Sequence, residues 1–191
     1  MEKSFRCVTQ RCESAKLLID NDNEYVHIGR GLILYVSWAK GASVEDLPRI
    51  VKTLLNMRLL PVAAAPSRSQ SICEATLEHD PMHVLVVPQA ALTSKLQRGK
   101  NIQYHGQLTK DDGAEVVYTE FIRLLRDMSA DILASLPSSG RLVIQHGTFG
   151  NRQVVQSVAV LQLLAFCDTV LSSYAHTGIA VRVRRALHAH V

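Results

Sequence analysis

Ser43-Val44-Glu45-Asp46-Leu47-Pro48-Arg49-Ile50-Val51-Lys52-Thr53-Leu54-Leu55 is the stretch that decides the fold class. Leu47, Ile50, Val51, Leu54 and Leu55 recur at the spacing of one helix face, so this segment predicts a helix lying on a core. Ser43 with Asp46 three residues on has capping-box spacing, and Pro48 sits in the first turns, where a missing N–H costs little. Upstream, Leu32-Ile33-Leu34-Tyr35-Val36 follows the turn-like Gly29-Arg30-Gly31 and reads as a strand. Ala15–Ile19 and Tyr25–Ile28 flank Asp20-Asn21-Asp22-Asn23 and read as a hairpin.

Downstream, Pro61-Val62-Ala63-Ala64-Ala65-Pro66-Ser67 reads as a loop, and His83–Val87 as a strand stopped by Pro88. A second helix is expected from near Thr109, with Asp111, Asp112 and Glu115 at its positive end. Its stripe is Val117, Phe121, Leu124, Leu125, Met128, Ile132 and Leu136, and Pro137 and Gly140 stop it. Leu142-Val143-Ile144 reads as a further strand. Residues 153–175 are apolar throughout, and helix is favoured there over strand. Strands, helix, strand, helix, strand in 191 residues make one mixed α+β domain.

Composition narrows the function classes. The chain is 47% hydrophobic and 20% charged, as in an ordinary globular domain, so wholesale disorder is not expected. No apolar run is long enough for a membrane-spanning helix, and no membrane partner is expected. Cys7, Cys12, Cys73 and Cys167 form neither a disulfide framework nor a zinc spacing, which suits a reducing compartment and predicts a cytoplasmic protein. The net charge of +4 is concentrated after residue 140, where five Arg face one Asp. That segment reads either as a phosphate-binding patch or as a solvated basic tail. No Gly-x-Ser-x-Gly elbow, Lys-Ser/Thr-ended phosphate loop or His-Glu-x-x-His occurs, and no metal site is expected.

Two polar loops follow strands. Pro88–His105 gathers Lys95, Arg98 and Lys100 with Gln103, Tyr104 and His105: cations for phosphates and rings that stack on a base. Gln145–Arg152 holds two glycines that permit close backbone approach to a ligand. Each loop reads equally as a ligand site or as an ordinary surface connection.

Pro88-Gln89-Ala90-Ala91-Leu92, Asn101-Ile102-Gln103-Tyr104-His105 and His146-Gly147-Thr148-Phe149-Gly150-Asn151-Arg152-Gln153-Val154 resemble the D-aminoacyl-tRNA deacylase family, closest to its animal-type second branch. Arg30–Val36, Lys40-Gly41-Ala42, Leu47-Pro48 and Thr53–Asn56 resemble the same branch, in the same order, from about residue 15 to 155. The resemblance implies a compact α+β domain with a curved, barrel-like mixed sheet and two main helices, working as a homodimer with the site at the subunit interface. It implies hydrolysis of the ester of a mischarged aminoacyl-tRNA, either D-aminoacyl-tRNA or L-alanine misplaced on threonine tRNA, with no cofactor. Residues 1–155 would be the deacylase-like core, and 156–191 a divergent C-terminal segment packed on the same domain.

The resemblance also implies roles. Gln89, Ala91, Leu92, Thr93 and Gly178 are the catalytic candidates: Gln89 orients the amino acid or water, and main-chain N–H groups around Gln89–Leu92 meet the oxyanion. Pro88, Lys95, Arg98, Lys100, Gln103, Tyr104, His105, His146, Thr148 and Asn151 are the substrate-binding candidates. The chain departs from the family at two places. Ala91 stands where the family has Thr, with Thr93 two residues on as a stand-in. The Gly-Pro turn of the family C-terminus is absent; read with an insertion, Gly178 and Ile179 take its place. The alternative function is a catalytically impaired tRNA- or DNA-binding relative of the deacylases.

Overall fold

The computed structural model describes residues 4–19, 23–96, 102–103, 106–138, 140–151 and 153–167. Its frame is a six-stranded mixed sheet in the order β10-β1-β3-β6-β9, with β2 also paired to β1. The strands are β1 (Phe5–Leu18), β2 (Tyr25–Ile28), β3 (Gly31–Trp38), β6 (Met82–Pro88), β9 (Leu142–His146) and β10 (Val154–Cys167). β1 runs antiparallel to β2, β3 and β10, whereas β3, β6 and β9 are mutually parallel. The sheet curls, giving the compact α+β architecture expected from the sequence.

Alternation along β3 explains how the sheet is covered. Leu32, Leu34, Val36 and Trp38 join Val84 and Val86 on the face that carries the helices. Ile33 and Leu85 point the other way and pack with Cys12, Leu17, Ile28 and Val87 in a smaller second cluster. Helix α1 (Leu47–Asn56) buries all five residues of its predicted stripe in the larger cluster. Each is worth roughly 1.5–3 kcal/mol relative to exposure. Ser43 caps the preceding 3-10 turn by accepting from the Glu45 N–H, not through a capping box with Asp46. A capping box lies instead at Ser71 and Glu74, opening the short α2 (Ile72–Ala75).

Helix α3 (Ala114–Ala134) begins later than Thr109. Asp112 accepts from the Thr109 hydroxyl at 2.6 Å and from its N–H at 3.2 Å, so these residues close a turn of their own before Gly113. Two further expectations are corrected. The Pro61–Ser67 segment is not a loop: it supplies much of an antiparallel ribbon of β4 (Leu60–Val62) and β5 (Ala65–Gln70). A separate two-stranded ribbon tolerates proline because half of its N–H groups face outward. Within the apolar stretch 153–175, Val154–Cys167 are not helical, because β10 pairs antiparallel with β1 over nearly the whole length of both; residues 168–175 lie outside the described residues.

Candidate active site

The three parallel strands end in a stagger, β9 first and β3 last, and a cavity of about 370 Å³ opens at their C-terminal ends. Ligands gather at such strand ends in open sheets, because the chain there leaves the ladder in loops with free polar groups. Val36, Ser37 and Trp38 form one wall, from β3. Pro88, Gln89 and Ala90 come from the end of β6 and the turn after it. Phe149, Gly150 and Asn151 come from the loop after β9, while residues 107–110 and Ala114 at the start of α3 complete the lining.

Each wall is fixed by backbone bonds. The Gln89 N–H donates to the Val36 carbonyl at 2.8 Å, and the Leu92 N–H to the Gln89 carbonyl at 3.2 Å. Arg6 reaches over from β1 and donates to the Leu92 carbonyl at 2.6 Å. The 3-10 turn Ala90–Thr93 is thereby held at both ends. Its first N–H groups, on Ala90 and Ala91, lack intrahelical partners by the geometry of a helix start. That of Ala91 meets only Gln89 Oε1, at the long distance of 3.5 Å. The Gly147 N–H donates to the Val86 carbonyl at 2.8 Å, and buried Tyr118 donates to the Gly147 carbonyl at 2.9 Å. Burial pushes the Tyr118 phenol well above its ordinary range, so it stays a donor. Gly150 adopts φ +85°, and a Cβ there would lie 2.6 Å from Lys110 Cε, so glycine lets this lysine cross the loop.

The structure brings Pro88, Gln89 and Asn151 to one cavity from two loops distant in sequence. Ala91 and Leu92 lie in the turn beside it, Ala91 exposed and Leu92 half-buried. Thr93 turns inward: it is buried, with Oγ1 2.9 Å from Ser37 Oγ and donating to the Ala90 carbonyl at 3.2 Å. His146 packs edge-on against Tyr118 and lines a different groove, with Arg123 and Arg126 of α3. Thr148 is exposed and its carbonyl accepts from Gln153 at 2.7 Å. Gln103 and Lys95 pair across the short ribbon β7 (Lys95–Leu96) and β8 (Ile102–Gln103). Arg98, Lys100, Tyr104, His105 and Gly178 lie outside the described residues.

Sequence reasoning missed Trp38, Gln107, Thr109, Lys110 and Phe149 as cavity residues. The signals were slight: a tryptophan closing a strand, and polar residues just before an acidic turn. Asp112 in that turn has its carboxyl held below the usual range, first by the Thr109 hydroxyl and then by its N–H, with Lys40 adding to the effect. No carboxylate or imidazole lines the cavity among the described residues, and Ser37 Oγ is engaged by Thr93. The arrangement can therefore bind, orient and polarise through N–H groups, amides and Lys110. Among the described residues no cluster of three or more His, Cys, Asp or Glu could hold a metal.

A family model described as D-Tyr-tRNA(Tyr) deacylase matches residues 8–160. D-aminoacyl-tRNA deacylase 2 of Homo sapiens is 36% identical over 157 residues, 79% of this chain and 86% of that protein. The protein of the same name from Danio rerio is 34% identical over 157 residues, 79% of this chain and 90% of its own length. Two solved structures share the fold. One, described as a "probable eukaryotic D-amino acid tRNA deacylase", superposes with a TM-score of 0.67 at 24% identity, covering 86% of this chain and all (100%) of its own. The other, c-Myc DNA Unwinding Element Binding Protein, gives 0.65 at 21% identity, with 89% and 99% covered.

Proposed function

Because the chain belongs to the D-Tyr-tRNA(Tyr) deacylase family, we propose that it hydrolyses the ester of mischarged aminoacyl-tRNA, a proofreading hydrolase of translation. Its substrate is D-aminoacyl-tRNA, or L-alanine misplaced on threonine tRNA. The observation that carries this reading is the convergence of Gln89 and Asn151 on one cavity beside a turn whose leading N–H groups, on Ala90 and Ala91, have no intrahelical partner, that of Ala91 meeting Gln89 Oε1 at 3.5 Å.

An aminoacyl ester is already activated, so the protein needs position and charge stabilisation rather than a nucleophile. Water attacks the ester carbonyl carbon, and the developing oxyanion accepts from the N–H groups of Ala90 and Ala91. Collapse breaks the bond to the ribose oxygen, which takes up a proton and leaves as the tRNA hydroxyl. The products are free tRNA and free amino acid. Gln89 orients the water or the amino group, and Asn151 closes the opposite wall. Main-chain donors tolerate Ala91 in place of a hydroxyl residue, because the N–H persists under substitution.

The finer reading follows the family. The protein acts in the cytoplasm as a homodimer with the site at the subunit interface, and Gly178 of the C-terminal segment contributes the facing turn. Lys95, Arg98 and Lys100 hold phosphate, and Tyr104 and His105 contact the terminal adenosine. Leu92 and Thr93 support the turn; Pro88, Gln103, His146 and Thr148 shape its surroundings. Residues 1–155 form the deacylase-like core and 156–191 a divergent segment on the same domain, with β10 running unbroken across that boundary.

The test is a deacylation panel of D-aminoacyl-tRNA and alanine-charged threonine tRNA. Loss of the acyl group well above the buffer rate is expected for at least one class. Salt-sensitive tRNA binding with buffer-level hydrolysis of both would refute the enzymatic reading.

A further inference from the structure

The loop after β9 brings Phe149, Gly150 and Asn151 to the cavity wall, and its neck is firmly pinned. The Gly147 N–H donates to the Val86 carbonyl at 2.8 Å, and the Gly147 carbonyl accepts from Tyr118 at 2.9 Å. His146 Nδ1 lies 3.0 Å from the same carbonyl. Asn151 is held far more loosely, since its Nδ2 reaches only the Ile19 carbonyl, at 3.5 Å. The neck alone therefore does not fix where Asn151 stands.

Gln153 reaches back across the loop from just before β10. Its Nε2 donates to the Thr148 carbonyl at 2.7 Å, a bond that only the NH2 end of the amide can make. The carboxamide lies flat against Gly147, where a Cβ would fall 2.3 Å from Gln153 Oε1 and 2.5 Å from Nε2. Gly147 is not among the glycines with positive φ, so the residue is bare here to make room for Gln153, not to free the backbone. Gln153 Oε1 is buried without a hydrogen-bond partner. An unmet buried acceptor costs about as much as the Thr148 bond gains, so the brace adds little to stability. A half-buried glutamine turned out to water would avoid that cost. The side chain also does not line the cavity.

We propose that Gln153 is a positioning residue for the deacylation: by bracing Thr148 across a bare Gly147, it sets where the loop presents Asn151 to the substrate. It touches no reacting atom and acts through Asn151. The assignment rests on the cavity being the deacylase site.

The experiment compares the full chain with Gln153→Leu, Asn151→Ala and the double variant on charged tRNA. Gln153→Leu removes the bond and keeps the bulk. It is expected to lower kcat about tenfold with KM within about threefold, because misplacement acts on the reacting geometry while phosphate contacts carry most of the tRNA affinity. In the Asn151→Ala background the same change should cost less than about twofold. Gly147→Ala, which crowds out the carboxamide, should lose as much kcat as Gln153→Leu. The Tm of Gln153→Leu should stay within about 4 °C of the unaltered chain. Hydrogen exchange reads the brace without substrate: amides of residues 148–151 should exchange about tenfold faster in Gln153→Leu, with those of β6 and α3 unchanged. Full activity of Gln153→Leu, an equal loss in both backgrounds, a larger fall in Tm or unchanged exchange each overturns the assignment. Faster loop exchange in a chain that hydrolyses neither substrate supports the brace and sinks only the proposed function.

Discussion

Replacing Thr93 by Val separates a hydroxyl that supports the turn from one that acts on substrate. Thr93 and Ser37 are each 5% exposed, with hydroxyl oxygens 2.9 Å apart. Since Thr93 donates to the Ala90 carbonyl, Ser37 is the donor in their pair. Valine keeps the shape of threonine but removes both bonds and strands the Ser37 hydroxyl in the interior. A lost bond is worth about 1 kcal/mol, and a buried unpaired partner adds about 1–3 kcal/mol. A total of about 2–4 kcal/mol is expected, or roughly 4–16 °C in Tm for a chain of this size. Ser37→Ala should cost less, and the double variant should fall well short of the sum of the singles, with a coupling of about 1 kcal/mol. Urea denaturation of the four proteins measures this cycle. In the deacylation assay all three variants should lose activity only a few-fold, as the Ala90–Thr93 turn shifts, and Thr93→Ser should restore it. If the Thr93 hydroxyl touched the reacting atoms, Thr93→Val would instead lose about 10²–10³ in kcat. Such a loss, with Ser37→Ala at the full rate, refutes the supporting role.

Two glycines should respond very differently to alanine. A Cβ at Gly31 would lie 1.8 Å from the His83 carbonyl, so Gly31→Ala should force β3 and β6 apart and cost roughly 3 kcal/mol or more. Gly113 has φ +84° with open space around it, so Gly113→Ala should cost only about 1–2 kcal/mol in urea denaturation, and equal losses would contradict this reading. Burial, with Glu13 and Glu74 adding to it, raises the Cys12 and Cys73 thiols to about 11 from 9.0. Between those values the unfolded chain releases protons that the folded chain keeps, so stability should be full below pH 9 and decline as pH rises towards 11. A flat stability profile over that window, or rapid thiol modification of the folded protein at pH 8, would count against it.

The sequence made α1 legible because all five stripe residues face a single core, so period and packing agree. The start of α3 was misplaced because Asp111, Asp112 and Glu115 look like a charged first turn, whereas Thr109 and Asp112 satisfy each other ahead of the helix. β10 was misread because its apolar run has no two-residue alternation, and only pairing with β1 decides its conformation. The site was half legible. Gln89 and Asn151 sit in segments with recognisable neighbours, but their meeting depends on the parallel register of β3, β6 and β9, which no local pattern encodes. Trp38 and Gln107 were invisible because they reach the cavity through the pairing of the end of β3 with residues 106–108, which no local pattern encodes.

The placement of β1 shapes how this chain emerges during synthesis. β3 follows soon after β1 and gives half of it an early neighbour, whereas β10 arrives only after every other described strand. Through most of translation the far side of β1 is therefore an open ladder rim, free to recruit extended segments of other nascent chains. Crowded polysomes should be the setting in which the protein misassembles most readily, and early cover of that rim is the natural task for a ribosome-associated chaperone.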